Sequence, residues 1–318
     1  MSWQGVLSVF DFVAPQTADE VSRVFIDSVR EGRTVSFDCP GGDLVISTAK
    51  MNRVIEHEPT DLTCIVEPGI KLSELNEIVA AHGQQLSLDP PGDPTIGECI
   101  LKSLSGPRRH HYGAVRDLIL GVTVVLGDGT VASSGGKVVK NVAGYDLAKL
   151  FCGSRGTLGL VVRAAFRLHP RPETSATFEV QVERPSEGRM MVRRLQQSSL
   201  VLSALDIAWP GRLFALLEGS TQAVSAQLDE AMSLVRTTSV SDKVWESVLE
   251  QQGRAKGTLV FSPGDIESVL HTEQVALVRP SVGVAYIDRT METQQSPSLM
   301  ELHERIRRAF DPEGIFVV

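Results

Sequence analysis

The segment from Pro90 to Gly113, PPGDPTIGECILKSLSGPRRHHYG, constrains the fold of this chain more than any other feature. It contains four prolines and four glycines, and two arginines and two histidines follow one another near its end. Proline removes a backbone donor and glycine weakens regular structure, so we predict that the segment forms no helix. Non-regular segments of this length are uncommon inside compact domains and are usually functional or disordered. Because regular structure is predicted on both sides, we expect a functional loop.

The elements around this segment predict an α+β first domain over residues 1–172. A capping box at Thr17 and Glu20 begins the first helix. Further along, residues 118–133 are predicted to form a hairpin around Gly-Asp-Gly, and residues 157–169 a long strand with alternating burial. The Pro-Arg-Pro sequence that follows ends the domain, because prolines do not continue a central strand.

From residue 173 the chain starts a second pattern, in which strands and helices alternate with short connections. This pattern predicts a smaller antiparallel α+β cap domain over residues 173–297. A C-terminal helix and tail, residues 298–318, are expected to return to the first domain. The predicted fold class is therefore α+β.

The composition limits the function classes. The 318 residues are 42% hydrophobic and 22% charged, as in ordinary globular proteins, and the net charge of −8 argues against nucleic-acid binding. No run approaches the roughly 18 apolar residues of a membrane helix, and the first residues lack the basic start of a secretory signal. The four cysteines lie far apart without a Cys-x-x-Cys motif, which favours free thiols in a reducing compartment. The expected location is the cytoplasm.

Three glycine-bearing segments of the first domain indicate an anion site. They are Pro40-Gly41-Gly42, the stretch from Thr95 to Gly106, and the stretch from Gly153 to Gly159. Backbone N–H groups in such turns form concavities that bind anions, because glycine carries no Cβ. Any one of these segments alone is better explained as a turn. The third precedes a strand instead of opening a helix, and there is no Walker lysine motif, so neither common nucleotide-binding fingerprint is present.

In order and at these spacings, the three segments resemble one family. The stretches PPGDPTIGECILKSLSGPRRHHYGAVRDLILGVTVVLGDGTV and GGKVVKNVAGYDLAKLFCGSRGTLGLVVRAAFRLHPRP are similar to the PCMH-type FAD-binding domain of the vanillyl-alcohol-oxidase-type flavoproteins. Within that superfamily the chain most resembles the FAD-binding subunits of bacterial glycolate oxidase, also called glycolate dehydrogenase. The similarity is dense from about Leu62 to Pro172 and weaker through the cap.

The resemblance implies that FAD lies extended between two α+β subdomains of the first domain. Backbone amides of two loops would hold its diphosphate, and the second of these loops is the proline- and glycine-rich segment described above. The segment 140–145 would come near the flavin through Lys140, Asn141, Gly144 and Tyr145. By this resemblance the cofactor-binding residues are Pro40, Gly41, Gly42, Asp43, Ile96, Gly97, Ser105, Gly106, Gly113, Leu160 and Val161.

Two carboxylates depart from the pattern of the relatives. Asp43 stands where threonine or serine is common, and Glu98 stands where a second glycine is common. Both would lie near the diphosphate, and a like-charge contact at about 4 Å costs about 1 kcal/mol in water and about 4 kcal/mol at an effective dielectric of 20. Lys102 would offset one of the two charges, or both acids would point to solvent.

The residues identify neither a catalytic base nor a metal site. Oxidation of a hydroxy acid by a flavin needs a base for the hydroxyl proton. Lys140 and Tyr145 are candidates, although support of their own loop is the simpler interpretation. No two of the seven histidines have metal-ligand spacing. His110 and His111, beside two arginines, are equally compatible with an anion or an acidic partner and with a solvated loop.

The expected function is that of an FAD-linked oxidoreductase subunit in a glycolate-oxidising complex. The resemblance implies that electrons pass from a small 2-hydroxy acid to FAD and then through an iron–sulfur subunit to membrane quinones, with a sister FAD subunit carrying most of the substrate oxidation. Membrane contact would come only through these partners, at the inner membrane. Two alternatives stay open: a stand-alone FAD oxidoreductase acting on another hydroxy acid or alcohol, and a flavin-free assembly subunit.

Overall fold

The structure is a computed structural model that describes residues 11–38, 41–136, 147–272, 274–290 and 296–317. The first part of the chain contains β1 (Asp11–Val13), α1 (Ala18–Glu31), β2 (Val35–Phe37), β3 (Leu44–Ile46), β4 (Val54–Glu58), β5 (Thr63–Val66), α2 (Leu72–Ala80), β6 (Gln84–Gln85), α3 (Ile96–Lys102), α4 (Arg109–Tyr112), α5 (Val115–Leu118), β7 (Ile119–Val125), β8 (Val131–Gly135), α6 (Ala148–Phe151), β9 (Leu160–Arg167) and β10 (His169–Pro170). The second part contains β11 (Thr174–Val182), α7 (Pro185–Gln196), β12 (Leu202–Ala208), β13 (Gly211–Gly219), α8 (Thr221–Leu234), β14 (Thr238–Val240), α9 (Val244–Arg254), β15 (Gly257–Val260), a 3-10 turn (Pro263–Asp265), α10 (Ile266–Leu270), β16 (Val275–Arg279), β17 (Val284–Ile287) and α11 (Pro297–Phe310). Within the described ranges no helix combines the length and the apolar character needed to cross a bilayer.

A five-stranded antiparallel sheet, in the order β4-β5-β9-β7-β8, is the centre of the first part. Side chains from α2 and α3, such as Leu75 and Ile100, pack on one face around Phe166. The hairpin β7–β8 closes around Gly-Asp-Gly as the sequence predicted, since the N–H of Leu126 donates to the carbonyl of Thr130 at 2.9 Å. The long alternating strand is also present as β9.

A small parallel sheet, in the order β1-β3-β2, packs with α1 against the other face of β7 and β9. The N-terminus of α1 is capped as predicted, because the hydroxyl of Thr17 accepts from the N–H of Glu20 at 3.2 Å. The Glu20 carboxylate accepts from the N–H of Gln16. The C-terminal tail lies along β2, where the N–H of Val35 donates to the carbonyl of Ile315 at 2.7 Å.

The second part is one seven-stranded antiparallel sheet, here called the cap sheet, in the order β14-β11-β13-β12-β16-β17-β15. Helices α7, α8 and α10 cover one face around Phe178 and Leu205. On the opposite face Phe214 and Leu277 pack against Val248 of α9. Strands β14 and β16 were not predicted from the sequence. The domain boundaries at residues 172 and 297 stay a prediction.

One sequence expectation about the segment from Pro90 to Gly113 is wrong, because the segment contains the helices α3 and α4. The signal that was missed is a second capping box. The hydroxyl of Thr95 accepts from the N–H of Glu98, and the Glu98 carboxylate accepts from the N–H of Thr95. Such a reciprocal cap is enough to start a short helix directly after a proline-rich stretch.

Candidate functional site

The first glycine loop is described from Gly41 to Asp43, and in it the aspartate is turned toward β2. The Asp43 carboxylate accepts from both the N–H and the hydroxyl of Thr34 at 2.8 Å. These hydrogen bonds, the Thr34 N–H first, lower the pKa of Asp43. A Cβ on Gly42 would lie 2.8 Å from the Thr34 carbonyl oxygen, so this approach requires glycine. The Asp43 carboxylate is therefore hydrogen-bonded within the protein.

Glu98, the second acid that departs from the family pattern, is also hydrogen-bonded within the protein. Besides its bond to Thr95, the Glu98 carboxylate accepts from the Lys102 ammonium at 3.0 Å. Burial opposes ionisation, but the bonds from Lys102 and Thr95 prevail and lower the pKa of Glu98. The Lys102 ammonium, one helical turn away, therefore reduces the electrostatic repulsion expected between the Glu98 carboxylate and a diphosphate.

The N–H groups at the start of α3 are used within the protein. Ile96 donates to the carbonyl of Ile70 at 2.9 Å, and Gly97 donates to the carbonyl of Pro68 at 2.7 Å. A Cβ on Gly97 would touch Pro68 at 3.0 Å. Glycine therefore serves close packing here, and the assignment of these two residues to the FAD path stays a prediction.

Ser105 and Gly106 present a different arrangement. Both are buried, and their backbone N–H groups have no hydrogen-bond partner among the residues that the structure describes. Buried N–H groups without a partner are rare, and two successive N–H groups can bind one anion. A Cβ on Gly106 would lie 1.7 Å from the carbonyl oxygen of Asp89, so only glycine fits. The assignment of this pair of donors to a phosphate of FAD stays a prediction.

The third glycine segment connects the other two. Gly153 donates to the carbonyl of Ile100 at the end of α3, at 2.9 Å. Gly156, at φ +88°, lies so close to Phe37 that a Cβ would be 2.5 Å from the ring. Since Phe37 ends the strand that leads into the first loop, the fold brings all three segments into one region.

The remaining residues that were predicted to bind or approach FAD lie in different parts of the chain. Leu160 and Val161 are buried and pair with β7, so their side chains belong to the core. Gly113, at φ +84°, joins α4 to α5 and leaves no room for a Cβ beside Asp117. Their contact with FAD stays a prediction. Pro40, Lys140, Asn141, Gly144 and Tyr145 lie outside the described residues.

Helix α4, which carries the Arg-Arg-His-His sequence, docks on the cap sheet. Arg108 forms a bidentate ion pair with Glu218 of β13, with a closest distance of 2.6 Å, and the Glu218 side chain is only 2% exposed. The backbone N–H of Arg108 donates to the half-buried Asp89 carboxylate at 3.0 Å. These four residues are therefore not a fully solvated loop: Nδ1 of His110 is buried, whereas His111 is exposed.

Behind α4 lies a buried polar group that the sequence analysis missed. Asp206 of β12 and Arg279 of β16 form a bidentate ion pair at 2.8 Å, with side chains 0% and 1% exposed. Arg279 also donates to the amide oxygen of Gln252, whose amide nitrogen donates to the carbonyl of Ser105 at 2.6 Å. An aspartate in a strand that is apolar apart from it and Ser203, LSALDIA, was the available signal. We call these residues the junction cluster: Asp89, Ser105, Arg108, Asp206, Glu218, Gln252 and Arg279.

Within the junction cluster, burial raises the pKa of Asp89 to about 7. The pKa of an aspartate in an unfolded chain is about 4, so between these values the folded state holds the proton more tightly. We therefore expect the stability of the wild type relative to Asp89→Asn to fall as the pH rises from about 4 to about 7. The slope should approach about 1.4 kcal/mol per pH unit.

Urea unfolding of both proteins across this pH range measures that difference. Asp229→Asn, at an exposed position of α8, is the control and should follow the wild type. Parallel stability curves for the wild type and Asp89→Asn would contradict the assignment.

Comparison with known proteins identifies the type of domain that contains these loops. A sequence profile of the family described as FAD binding domain matches residues 12–135. That range includes the first loop and the donor pair at Ser105 and Gly106. The first part of the chain is therefore a PCMH-type FAD-binding domain, and its cofactor is FAD.

The relatives include two proteins named as subunits of glycolate oxidase. The subunit GlcD of Bacillus subtilis is 33% identical over 207 residues, covering 61% of this chain and 44% of that protein. The subunit GlcE of Escherichia coli is 30% identical over 234 residues, covering 73% of this chain and 62% of that protein. The mitochondrial D-lactate dehydrogenase [cytochrome] 1 of Saccharomyces cerevisiae is 32% identical over 168 residues, or 52% of this chain and 29% of that enzyme. The chain thus spans less than two thirds of these relatives.

The fold also matches a solved structure. Alkyldihydroxyacetonephosphate synthase superposes with a TM-score of 0.72 over 96% of this chain and 76% of the other chain. The sequences are 13% identical, so the match concerns the fold alone. It confirms the predicted α+β class.

Proposed function

We propose that this chain is the FAD-binding subunit of a complex that oxidises a small 2-hydroxy acid, with glycolate as the substrate and glyoxylate as the product. The observation that carries the proposal is similarity to two proteins named as glycolate oxidase subunits, at 33% and 30% identity. The D-lactate dehydrogenase at 32% identity supports the same class of substrate.

The chemistry needs a two-electron acceptor and a place for one proton. Oxidation removes a hydride from the carbon that bears the hydroxyl and a proton from the hydroxyl itself. FAD, when bound, supplies the two-electron acceptor. The role of this chain is to hold FAD through the backbone N–H groups of Ser105 and Gly106 and to cover the cofactor with the cap sheet. The electrons would then pass to an iron–sulfur partner subunit.

The proposal predicts different behaviour for the isolated chain and for the complex. The isolated chain should be yellow, with flavin absorbance near about 450 nm, because the backbone donors for FAD are present. Its turnover of glycolate with an artificial electron acceptor should be negligible, since a sister FAD subunit carries substrate oxidation. The tagged chain purified with its partners from its native cells should reduce the acceptor with glycolate and contain iron.

Two other outcomes would replace the proposal. Rapid turnover of glycolate or D-lactate by the isolated chain would identify a stand-alone oxidoreductase. A colourless chain that added FAD does not reconstitute would identify a flavin-free assembly subunit. Assays of purified chain before and after incubation with FAD distinguish the two.

A further inference from the structure

Three arginines lie where α4 meets the cap sheet, and their charges are balanced differently. Arg108 is paired with Glu218, and Arg279 is paired with Asp206. Arg109 follows Arg108 directly and is half-buried, yet it makes no ion pair with any residue that the structure describes. A guanidinium without a counter-charge keeps its N–H donors available for an anion from elsewhere.

Arg109 contacts a residue that carries further hydrogen-bond donors. Its guanidinium Nη1 donates to the hydroxyl oxygen of Ser105, four residues back along the chain, at 3.5 Å. That contact leaves the Ser105 hydroxyl proton free to donate. The backbone N–H groups of Ser105 and Gly106 lie on the same two residues, without a partner in the described part of the chain. The Asp89 carboxylate, which also borders Gly106, accepts from the N–H of Arg108.

We propose that Arg109, together with Ser105 and Gly106, binds an anionic oxygen group where α4 meets the cap sheet. A guanidinium, a hydroxyl and two backbone N–H groups offer the donors that a phosphate or a carboxylate accepts. The anion is a phosphate of FAD or the carboxylate of the 2-hydroxy acid. The second source depends on the proposed function, and the first does not.

Arg109→Gln tests this proposal, because glutamine keeps a polar side chain and removes the charge. Arg109→Lys keeps the charge and should restore part of the binding, which separates a binding defect from a folding defect. Arg116→Gln is the matched control, since Arg116 is an exposed arginine seven residues further along. Thermal melting of all three variants verifies that they are folded.

Two binding measurements separate the sources of the anion. The affinity of the flavin-free protein for FAD is measured by quenching of FAD fluorescence. The affinity of the yellow protein for oxalate, a two-carbon anion that resembles the product but has no C–H bond from which a hydride could leave, is measured by the change in the flavin spectrum. Because Arg109→Gln removes a charged donor, it should weaken one of these two affinities by about tenfold or more.

A weaker affinity for FAD assigns Arg109 to the phosphate, and a weaker affinity for oxalate with unchanged FAD binding assigns it to the carboxylate. Arg109→Gln that matches Arg116→Gln in both measurements would overturn the proposal. Neither measurement needs turnover, so a wild type that fails to oxidise any hydroxy acid would defeat the proposed function while the role of Arg109 is still decided.

Discussion

We expect Gly106→Val to abolish FAD binding and to lower the free energy of unfolding by about 3 kcal/mol or more. No other single substitution in the first domain is expected to have a larger effect. A Cβ at this position would lie 1.7 Å from the carbonyl oxygen of Asp89 and 2.5 Å from its carbonyl carbon. Backbone atoms cannot rotate away as a flexible side chain can, so the segment itself must move. That movement displaces the N–H groups of Ser105 and Gly106. Urea unfolding and the flavin absorbance of the purified protein measure the two effects.

Gly253→Ala is the matched control for this substitution. Gly253 lies inside α9, and a Cβ there would meet only Pro91, at an ordinary 3.5 Å. Alanine favours a helix interior over glycine, so this variant should be more stable than the wild type by about 0.5–1 kcal/mol and keep its flavin. A yellow Gly106→Val protein of normal stability would show that the segment is not packed as described.

The second large effect is expected in the cap sheet, from Asp206→Ala. The substitution leaves the Arg279 guanidinium buried without its carboxylate, and removal of one partner of such a pair costs about 3–5 kcal/mol. Arg279 also holds Gln252, which donates to Ser105, so FAD affinity should fall as well. Equilibrium unfolding measures the first effect, and FAD fluorescence titration measures the second.

Two further variants show that the effect arises from burial of the pair. Glu304→Ala breaks an exposed pair with Arg308 of similar length, 3.0 Å, and should change the stability by less than about 1 kcal/mol. In the double variant Asp206→Ala with Arg279→Met, no uncompensated charge remains, so part of the stability should return. A loss of stability in Asp206→Ala that is no greater than in Glu304→Ala would contradict this account.

Local sequence signals were sufficient where both partners of an interaction lie a few residues apart. The Thr17 N-cap and the Gly-Asp-Gly hairpin are interactions of this kind, and the structure confirms both. The reciprocal half of the predicted capping box is not formed at Thr17, because the Glu20 carboxylate accepts from the N–H of Gln16 instead. The same reasoning was incomplete in the segment from Pro90 to Gly113. There the prolines and glycines were counted, but the capping box of Thr95 and Glu98 was overlooked, so α3 was missed.

The family-specific motifs carried the sequence analysis further than periodicity alone. They indicated FAD and the α+β class, both of which the comparisons support. The motifs did not show how the two departing acids are accommodated. Asp43 is held by Thr34, nine residues away, and Glu98 by Lys102 on the next helical turn. Such arrangements depend on which way a side chain turns, and composition does not determine that direction.

The amino-acid sequence by itself determined the class of the fold and most of the helices and strands, because these follow from residue spacing over short distances. The cofactor was indicated by the resemblance of its motifs to those of a known family. Only the tertiary structure decided that α4 packs on the cap sheet, with Arg108 paired to Glu218. It also decided that, of the three arginines at this junction, Arg109 has no counter-charge among the described residues. The reason is the distance along the chain: Arg108 and Glu218 are 110 residues apart, and Ser105 and Gln252 are 147 residues apart. Contacts of that separation are created by the packing of whole sheets, and no local pattern predicts them.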